Sequence, residues 1–285
     1  MESSKLLEQC ILCPHECKVN RNENKIGRCK SGKDVKIALA DLHFYEEPCI
    51  SGKNGSGTIF FSGCNMNCKF CQNYKISQEH LGHEISIQEL ANTFIKLQEL
   101  NANNINLVTG VMYIPQIIEA IKIAKKNGLY IPIVYNSSGY EKAEIIRLLN
   151  GYIDVYLPDF KYYYNELAKE LSGISNYFEY AKDSIKEMYN QVGNPEFDEN
   201  GIIKKGLIIR HLILPNHIQN SKMVLKWIKR NINKDVFISI MAQYFPTNKA
   251  LETDDINRKL TQSELEEIKN YIEKLNIKGY IQDLE

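Results

Sequence analysis

Short apolar runs alternate with longer amphipathic segments along most of the chain. Six runs have the length and apolar character of buried strands: 58–61, 105–109, 130–135, 152–157, 207–214 and 236–240. Between them, apolar residues recur at the three- and four-residue spacing of helices. Strands that alternate with helices are typical of βαβ units with a parallel sheet. The pattern therefore predicts an α/β protein, a partial (β/α)6 barrel that is open on one side.

Cap and turn signals place the ends of the predicted helices. Ser86 and Glu89 form a capping box that begins a helix running to about residue 101, and Thr261 and Glu264 form a second one before the last helix. Pro115 suits the first turn of a helix that ends at residue 128. We also predict helices at 140–150 and 220–231, helical segments up to about residue 191, and polar connections at 194–206 and 247–259.

Cysteines are confined to the first quarter of the chain. All eight lie between residues 10 and 71, and no segment of signal-peptide length precedes them. Such clustering indicates metal or redox chemistry rather than a disulfide framework. We therefore expect a small Cys-rich N-terminal metal-binding extension at 1–52, a barrel at 53–245, and a C-terminal loop and helix at 246–285.

Charge and hydropathy exclude two classes of partner. The 285 residues carry 35 basic and 35 acidic side chains, so the positive charge of a non-specific nucleic-acid binder is missing. No uncharged run reaches the roughly twenty residues of a membrane span. We expect a cytoplasmic protein that binds neither nucleic acid nor membrane.

Three cysteines follow the first predicted barrel strand with the spacing C-x3-C-x2-C. They are Cys64, Cys68 and Cys71. Three thiolates can hold three irons of a 4Fe–4S cluster and leave the fourth iron open to another ligand. The alternative is a structural zinc site, but zinc prefers four closed ligands. The nearest further ligands are His80 and His83, which we expect on an exposed turn.

A second group of four cysteines precedes the barrel. It comprises Cys10, Cys13, Cys17 and Cys29. Zinc and a fully ligated iron–sulfur cluster both accept four sulfurs, and reduced cysteines packed as small apolar residues remain an alternative. His15 is a possible substitute ligand, and Cys49 is expected to be a buried or free thiol.

Loops at the carboxyl ends of barrel strands share one face, where the cysteine loop also lies. The polar and small residues predicted there are Thr109, Gly110, Asn136, Ser137, Asp159, Lys161, Arg210 and His211. A solvated ion pair is the alternative for Asp159 and Lys161, which lie two residues apart. Their position directly after an apolar strand favours a cofactor-binding role.

The cysteine spacing, with Phe70 before the third cysteine, resembles the signature of the radical S-adenosylmethionine (SAM) superfamily. Other segments resemble its pyruvate formate-lyase activating enzyme-like branch: His43-x2-Glu46-Glu47-Pro48, Phe61-Ser62-Gly63-Cys64, Cys71-Gln72-Asn73, Tyr135-Asn136, Leu157-Pro158-Asp159-Phe160-Lys161 and Arg210-His211-Leu212. This resemblance extends over most of the chain.

The resemblance implies a cofactor set and contacts to it. The open iron of a 4Fe–4S cluster would chelate SAM, and an electron from the cluster would split it to methionine and a 5′-deoxyadenosyl radical. Phe70, Asp159 and Lys161 would contact SAM. An electron donor such as flavodoxin or ferredoxin is implied, and a basic stripe on helix 220–231 is either its docking site or a solvated face. The stripe comprises Lys222, Lys226, Lys229, Arg230 and Lys234.

One loop departs from that branch. Where Thr-Pro-Thr-His-Tyr is expected, the chain has Thr109-Gly110-Val111-Met112-Tyr113, which predicts an apolar rim beside SAM. We therefore favour a small-molecule substrate. The most specific hypothesis is a queuine lyase of queuosine salvage, which breaks a C–N bond of queuine to release the aminomethyl-deazaguanine base. The alternatives are an activase that installs a glycyl radical on a partner enzyme and a non-enzymatic metal-binding module. No catalytic residue is assigned.

Overall fold

A computed structural model describes residues 3–284 of the chain. Its strands are β1 (Val35–His43), β2 (Ser56–Phe61), β3 (His83–Ile85), β4 (Ile105–Val108), β5 (Ile133–Ser137), β6 (Val155–Pro158), β7 (Glu196–Phe197), β8 (Ile203–Leu212), β9 (Phe237–Met241) and β10 (Lys278–Ile281). Its helices are α1 (Ser3–Glu8), α2 (Pro48–Ser51), α3 (Tyr74–Ser77), α4 (Ile87–Glu99), α5 (Ile114–Lys126), α6 (Ala143–Ile146), α7 (Asn165–Ser172), α8 (Tyr177–Val192), α9 (Ile218–Asn231) and α10 (Gln262–Leu275).

One sheet organises these elements, with the strand order β10-β9-β8-β6-β5-β4-β2-β1-β3. Neighbours from β10 to β2 are parallel, whereas β1 and β3 are antiparallel and β7 pairs with β8 at the side. The end strands β10 and β3 pair with no further strand among residues 3–284. The α/β class and the open sheet expected from the sequence are confirmed.

The six predicted strands correspond to β2, β4, β5, β6, β8 and β9, and both predicted capping boxes are present. The expected polar connection at 194–206 is partly wrong, because β8 begins at Ile203 and its first residues form a hairpin with β7. The expected helix at 140–150 is shorter. Gly139 has a φ of +74°, so the chain turns there and the helix begins only at Ala143.

Strand residues alternate between two apolar layers, as the two-residue period of a strand requires. Ile133 and Tyr135 face the helices, whereas Val134 on the same strand joins Val155 and Ile208 in a smaller cluster on the opposite face. That smaller cluster lines part of the interior of the open barrel. It also contains Cys49 and Ile50 of α2.

Helix α2 closes the interior at the amino ends of the parallel strands. Asn104 precedes β4 and donates its Nδ2 to the carbonyl oxygen of Ile50 at 2.8 Å. Its neighbour Asn103 donates Nδ2 to the carbonyl oxygen of Ser51 at 2.6 Å. These bonds satisfy carbonyl groups of a very short helix. The barrel therefore has a floor, and its opening lies at the carboxyl ends of the strands.

The N-terminal extension is bound to the barrel through a buried arginine. The side chain of Arg21 donates to the carbonyl oxygens of Gly32 (Nε, 2.9 Å) and Met112 (Nη1, 2.6 Å), and it lies 5.6 Å from the centre of the Tyr113 ring. Arg21 is only 1% exposed. Burial of a guanidinium is tolerated only where carbonyl oxygens replace the water molecules that its N–H groups would otherwise bind. The loop after β4 is thus held by a residue nearly a hundred positions away.

No helix within residues 3–284 is long and apolar enough to cross a membrane.

Candidate functional site

The loop of Cys64, Cys68 and Cys71 begins where β2 ends. Gly63 turns the chain with a φ of +91°, and a Cβ atom at that position would lie 2.8 Å from the carbonyl oxygen of Cys29. The turn therefore requires glycine, because a side chain would be strained and would clash. It also brings the loop against the N-terminal extension.

The end of α7 holds the middle of this loop. The backbone N–H of Lys69 donates to the carbonyl oxygen of Leu171 at 2.8 Å, and that of Asn67 donates to Ser172 at 3.2 Å. These carbonyls belong to the last turn of α7, which has no partners for them within the helix. The loop is therefore anchored by main-chain bonds on both sides of Cys68.

Each of the three sulfurs has a polar neighbour. The Ser172 hydroxyl donates to the Sγ of Cys68 at 3.0 Å and receives a hydrogen bond from the Tyr162 hydroxyl at 2.7 Å. The Met66 N–H donates to the Sγ of Cys64 at 3.4 Å, and the Ser77 hydroxyl lies 3.2 Å from the Sγ of Cys71. Donors placed around sulfur stabilise the thiolate, the form that binds metal.

Burial opposes ionisation of the free thiols at this loop. It raises the pKa of Cys68 to about 11, although the Lys161 ammonium acts in the opposite direction. Burial also raises the pKa of Cys64 well above its usual value. Protonated thiols are poor ligands, so the negative charge of three thiolates here would need a metal centre to balance it. The donor set fits a thiolate-held cluster.

The four N-terminal cysteines are neighbours in space. Burial raises the pKa of Cys13 to about 12, and the nearby sulfurs of Cys29, Cys10 and Cys17 add to this rise. Across residues 3–284, however, no three His, Cys, Asp or Glu side chains converge closely enough to hold a single metal ion. The second metal site thus stays a prediction.

His15 does not join the N-terminal sulfurs. Its Nε2 lies 2.7 Å from the carbonyl oxygen of Asn65 in the cysteine loop, so Nε2 carries the proton and donates. Asn65 in turn donates its Nδ2 to the carbonyl oxygen of Tyr140 at 2.6 Å. The extension, the cysteine loop and the loop after β5 are connected by these two bonds.

The two histidines near the cysteine loop differ in exposure. His83 is exposed at the start of β3, as expected. His80 is half-buried instead, because its turn folds back towards Gly63, and this burial lowers the pKa of its ring. Cys49 is buried in the barrel interior, in agreement with the sequence.

A buried ionic network occupies the barrel interior, and Arg210 is its centre. The guanidinium donates to Asp159 Oδ1 (2.9 Å), Glu46 Oε2 (3.2 Å) and Asn136 Oδ1 (2.6 Å). Lys161 donates to the second carboxylate oxygen of Asp159. We refer to these five side chains as the interior network. It unites four predicted cofactor-binding residues with Glu46, which the sequence did not assign.

The pair Asp159–Lys161 is not a solvated surface pair. Their side chains are 13% and 15% exposed. Burial raises the pKa of the Asp159 carboxyl, but Arg210 and Lys161 outweigh it and the pKa is lowered. Burial likewise lowers the pKa of Lys161, while Asp159 and Cys68 raise it above its usual value. Both groups are therefore charged, and Lys161 connects the interior network electrostatically to the cysteine loop.

The remaining predicted rim residues lie around this network. Thr109 has a φ of +60°, an unusual conformation for a β-branched residue, and its N–H donates to the Asn136 carbonyl oxygen at 2.9 Å. Ser137 is buried and accepts from the Gly139 N–H at 3.1 Å. Phe70 is buried too, with its ring 6.0 Å from that of Tyr244.

The expected apolar rim at 110–112 is wrong. Val111 and Met112 form a 3-10 turn with Tyr113, and each of the three is at most 2% exposed. A side chain at Gly110 would meet Ile117 at 2.7 Å. Because Arg21 binds the Met112 carbonyl oxygen, this loop is pulled into the apolar core and does not form an open wall.

His211 faces away from the network because it neighbours Arg210 on the same strand. Its Nδ1 lies 2.7 Å from the Phe160 carbonyl oxygen, which can only accept, so Nδ1 carries the proton. Its Nε2 then accepts from the Ser221 hydroxyl on α9 at 2.8 Å. His211 is a neutral histidine between sheet and helix, not a residue of the site.

Two residues of the basic stripe on α9 make contacts within the protein. Lys222 binds Glu267 of α10 at 2.6 Å, and Lys229 donates to the carbonyl oxygen of Asn276 at 2.6 Å. These cations hold α10 against α9. The side chains of the other three stripe members, Lys226, Arg230 and Lys234, take no part in these two contacts.

Sequence reasoning missed Glu46, Asn106 and Ser172. Glu46 lies outside the strand–helix repeats, and only the acidic pair before Pro48 marked its segment. Asn106 lies within a predicted apolar strand, where a polar residue inside a short buried run is itself a signal. Ser172 ends a helix, and nothing local indicates that it contacts Cys68.

Comparison with known proteins shows similarity to one family. The family model described as the Radical SAM superfamily matches residues 58–193. An uncharacterized protein of Methanocaldococcus jannaschii is 36% identical over 282 residues, which cover 95% of this chain and 76% of that protein. The pyruvate formate-lyase 1-activating enzyme of Escherichia coli is 24% identical over 152 residues, covering 50% of this chain and 62% of the enzyme.

Among solved structures, anSMEcpe with bound AdoMet aligns with a TM-score of 0.52 and 13% identity. The alignment covers 82% of this chain and 62% of that one. At this identity the likeness concerns the fold alone. This chain spans about three fifths of the length of both the activating enzyme and that structure.

The neutral state of His211 predicts a specific pH dependence of stability. Burial lowers its pKa to about 4, below the 6.5 of an unfolded histidine. The neutral His211 ring therefore contributes fully to the free energy of unfolding above pH 6.5. This contribution is lost as the pH falls towards 4, which lowers the free energy of unfolding by roughly 3 kcal/mol. Denaturant unfolding at several pH values should show a shallower acid loss for His211→Gln than for the wild type. Equal slopes would contradict the assigned neutral histidine.

Proposed function

Because the chain belongs to the radical SAM superfamily, whose members are enzymes, we propose that Cys64, Cys68 and Cys71 bind a 4Fe–4S cluster that cleaves SAM. The observation that carries this proposal is the convergence of three features at the carboxyl ends of the strands. They are the three-sulfur loop, the donors around its sulfurs, and the buried Asp159–Lys161 pair beside Cys68. When bound, such a cluster supplies an open iron that chelates SAM and an electron that splits SAM into methionine and a 5′-deoxyadenosyl radical.

In this proposal, side chains of the protein orient SAM and stabilise the charge on the cluster and on SAM. Ser172 donates to Cys68, and Lys161 places a positive charge near the same sulfur. Such donors and charges tune the reduction potential of a cluster. Asp159 and Lys161 offer one acceptor and one donor for the charged ends of SAM, and Arg210 holds Asp159 in place. Thr109, Gly110, Asn136, Ser137 and Phe70 complete the proposed SAM-binding set.

For the N-terminal group we propose a second, structural metal site, either zinc or iron–sulfur. The clustering of Cys10, Cys13, Cys17 and Cys29 in residues 1–52 supports it. A closed four-sulfur site mainly stabilises the fold around it. Here it would brace the cysteine loop, because His15 binds Asn65 from the same extension.

We propose that the substrate is a small molecule, and queuine is the most specific candidate. The buried loop 110–112 no longer supports this choice. Its support is the barrel interior, where α2 closes the floor and polar groups of Glu46, Asn106 and Arg210 face inward, as recognition of a polar heterocycle requires. The proposed electron donor is a flavodoxin or ferredoxin.

A second candidate is an activase that installs a glycyl radical on a partner enzyme. The similarity of half the chain to the pyruvate formate-lyase 1-activating enzyme favours it. Both reactions begin with the same SAM cleavage, so they differ in the substrate and not in the proposed cluster.

Removing the three thiolates should abolish cluster binding and SAM cleavage. The variant with Cys64, Cys68 and Cys71 all changed to Ala should lose about four irons per chain relative to the wild type, because these sulfurs hold one cluster. It should form no 5′-deoxyadenosine under reducing conditions. Cys49→Ala, which removes a buried thiol outside both groups, should keep its iron. Anaerobically purified wild-type protein that carried zinc and no iron would refute the proposal.

Changes in the Asp159–Lys161 pair should weaken SAM binding without loss of iron. Asp159→Asn and Lys161→Met each remove a charged contact worth about 1.5–3 kcal/mol, so SAM affinity should fall at least roughly tenfold. Equilibrium dialysis with SAM measures this effect. The matched control is Asp198→Asn, which breaks a more exposed ion pair with Lys204 at the β7–β8 hairpin. Wild-type affinity in both test variants would remove the pair from the SAM site.

The substrate proposal is tested by product analysis. Reconstituted, reduced protein with SAM and queuine should release the aminomethyl-deazaguanine base, detected by mass spectrometry, without any partner protein. No turnover of deazapurines, together with an electron paramagnetic resonance signal of a glycyl radical on a partner enzyme, would establish the activase instead.

A further inference from the structure

Two hydrogen-bond acceptors on the barrel floor have no donor. They are Oε2 of Glu47 and Oδ1 of Asn106, both fully buried and without a partner among residues 3–284. An unpaired buried acceptor costs about 1–3 kcal/mol, and more where the group is charged. Such groups are rare in folded proteins and indicate a missing ligand, an ordered water or stored strain.

Both acceptors belong to residues that adjoin Glu46, one through a hydrogen bond and the other along the chain. Asn106 donates its Nδ2 to Glu46 Oε1 at 3.2 Å, and Arg210 donates to Glu46 Oε2. Glu47 follows Glu46 in the chain and influences the pKa values of Glu46 and Arg210, so it lies within the same electrostatic environment. Asn106 and Arg210 therefore give each carboxylate oxygen of Glu46 a donor, whereas Oδ1 of Asn106 and Oε2 of Glu47 have none among residues 3–284.

The ordinary structural role of Glu47 is absent. It occupies the N-cap position of α2, where a side chain usually accepts from the first turn, yet its side chain makes no capping bond. It is only 8% exposed, although Glu is almost never buried without a partner. Neither helix capping nor solvation accounts for its position.

The interior also holds more carboxyl groups than cations. The carboxyls of Glu46, Glu47 and Asp159 lie near the cations of Arg210 and Lys161, and burial raises the pKa of Glu46. A buried charge without compensation is costly. A ligand that brings N–H donors, with partial or full positive charge, would remove this cost.

We propose that Glu47 and Asn106 form an acceptor pair that binds an edge of the substrate carrying two N–H groups, as an amino-pyrimidinone or an amidine does. This inference rests on the proposed small-molecule function and names the feature by which that site selects its substrate. Since a site built around hydrogen bonds leaves its own groups unpaired with an analogue lacking them, it discriminates strongly against such analogues.

Two probes that differ by one amino group test the pair. Reconstituted, unreduced protein with SAM present should bind 7-deazaguanine at least tenfold more tightly than 7-deazahypoxanthine by isothermal titration calorimetry. Glu47→Gln, which turns one acceptor into a donor, should abolish this preference and leave SAM affinity unchanged. Asn106→Ser is the second variant and should reduce the preference. Glu187→Gln is the matched control, because it changes a carboxylate on α8 that pairs with Arg147 outside the barrel interior, and it should retain the preference.

The outcomes separate this inference from the proposed function. Equal binding of the two probes by the wild type, binding of neither, or an unchanged preference in both variants overturns the acceptor pair. Weakened SAM binding in Glu47→Gln with an unchanged probe preference also overturns it and assigns Glu47 to SAM. Formation of 5′-deoxyadenosine by the reduced wild type is measured in parallel. The absence of 5′-deoxyadenosine would contradict the proposed function. The probe preference is measured without reduction, so it tests the acceptor pair independently of SAM cleavage.

Discussion

A single guanidinium inside the barrel organises the candidate site. Arg210 extends from β8 and bonds to Asp159 after β6, Asn136 on β5 and Glu46 from the segment before α2. A buried guanidinium must keep its donors satisfied, so these partners cannot shift independently. Removing one partner would leave a buried charge unpaired. The same requirement aligns the ends of three strands with the floor of the barrel, which gives the site its shape before any cofactor is present.

The cysteine loop is positioned by several separate parts of the chain. Its main chain bonds to the end of α7, its first turn lies against Cys29, and Asn65 is bound by His15. Lys161 then couples its sulfurs to the interior network. A flexible loop with three thiolates would lose conformational entropy when it bound a cluster, and this bracing reduces that cost in advance. The Cys-rich extension thus supports the loop mechanically.

The predictable parts of the structure are those with local signals. β2 and β4–β6 come from short apolar runs, and α4 and α10 from their capping boxes, because these patterns reflect burial and hydrogen bonding within a few residues. Asp159, Lys161 and Arg210 were predictable since they lie at or near the ends of buried strands. The burial of Met112 was not, because it depends on Arg21 from the extension. Glu46 was not predictable for a similar reason, because only the tertiary fold brings its segment against Asn106 of β4 and Arg210 of β8.

The central claim is that three sulfurs hold a cluster whose open iron meets SAM beside the interior network. Electron paramagnetic resonance of the reduced, reconstituted protein before and after addition of SAM tests it most directly. The account predicts a 4Fe–4S signal whose g-values change when SAM binds, and the loss of that signal when the three cysteines of the loop are absent. The absence of any SAM-sensitive signal, or a SAM-sensitive signal that persists without those cysteines, would contradict it.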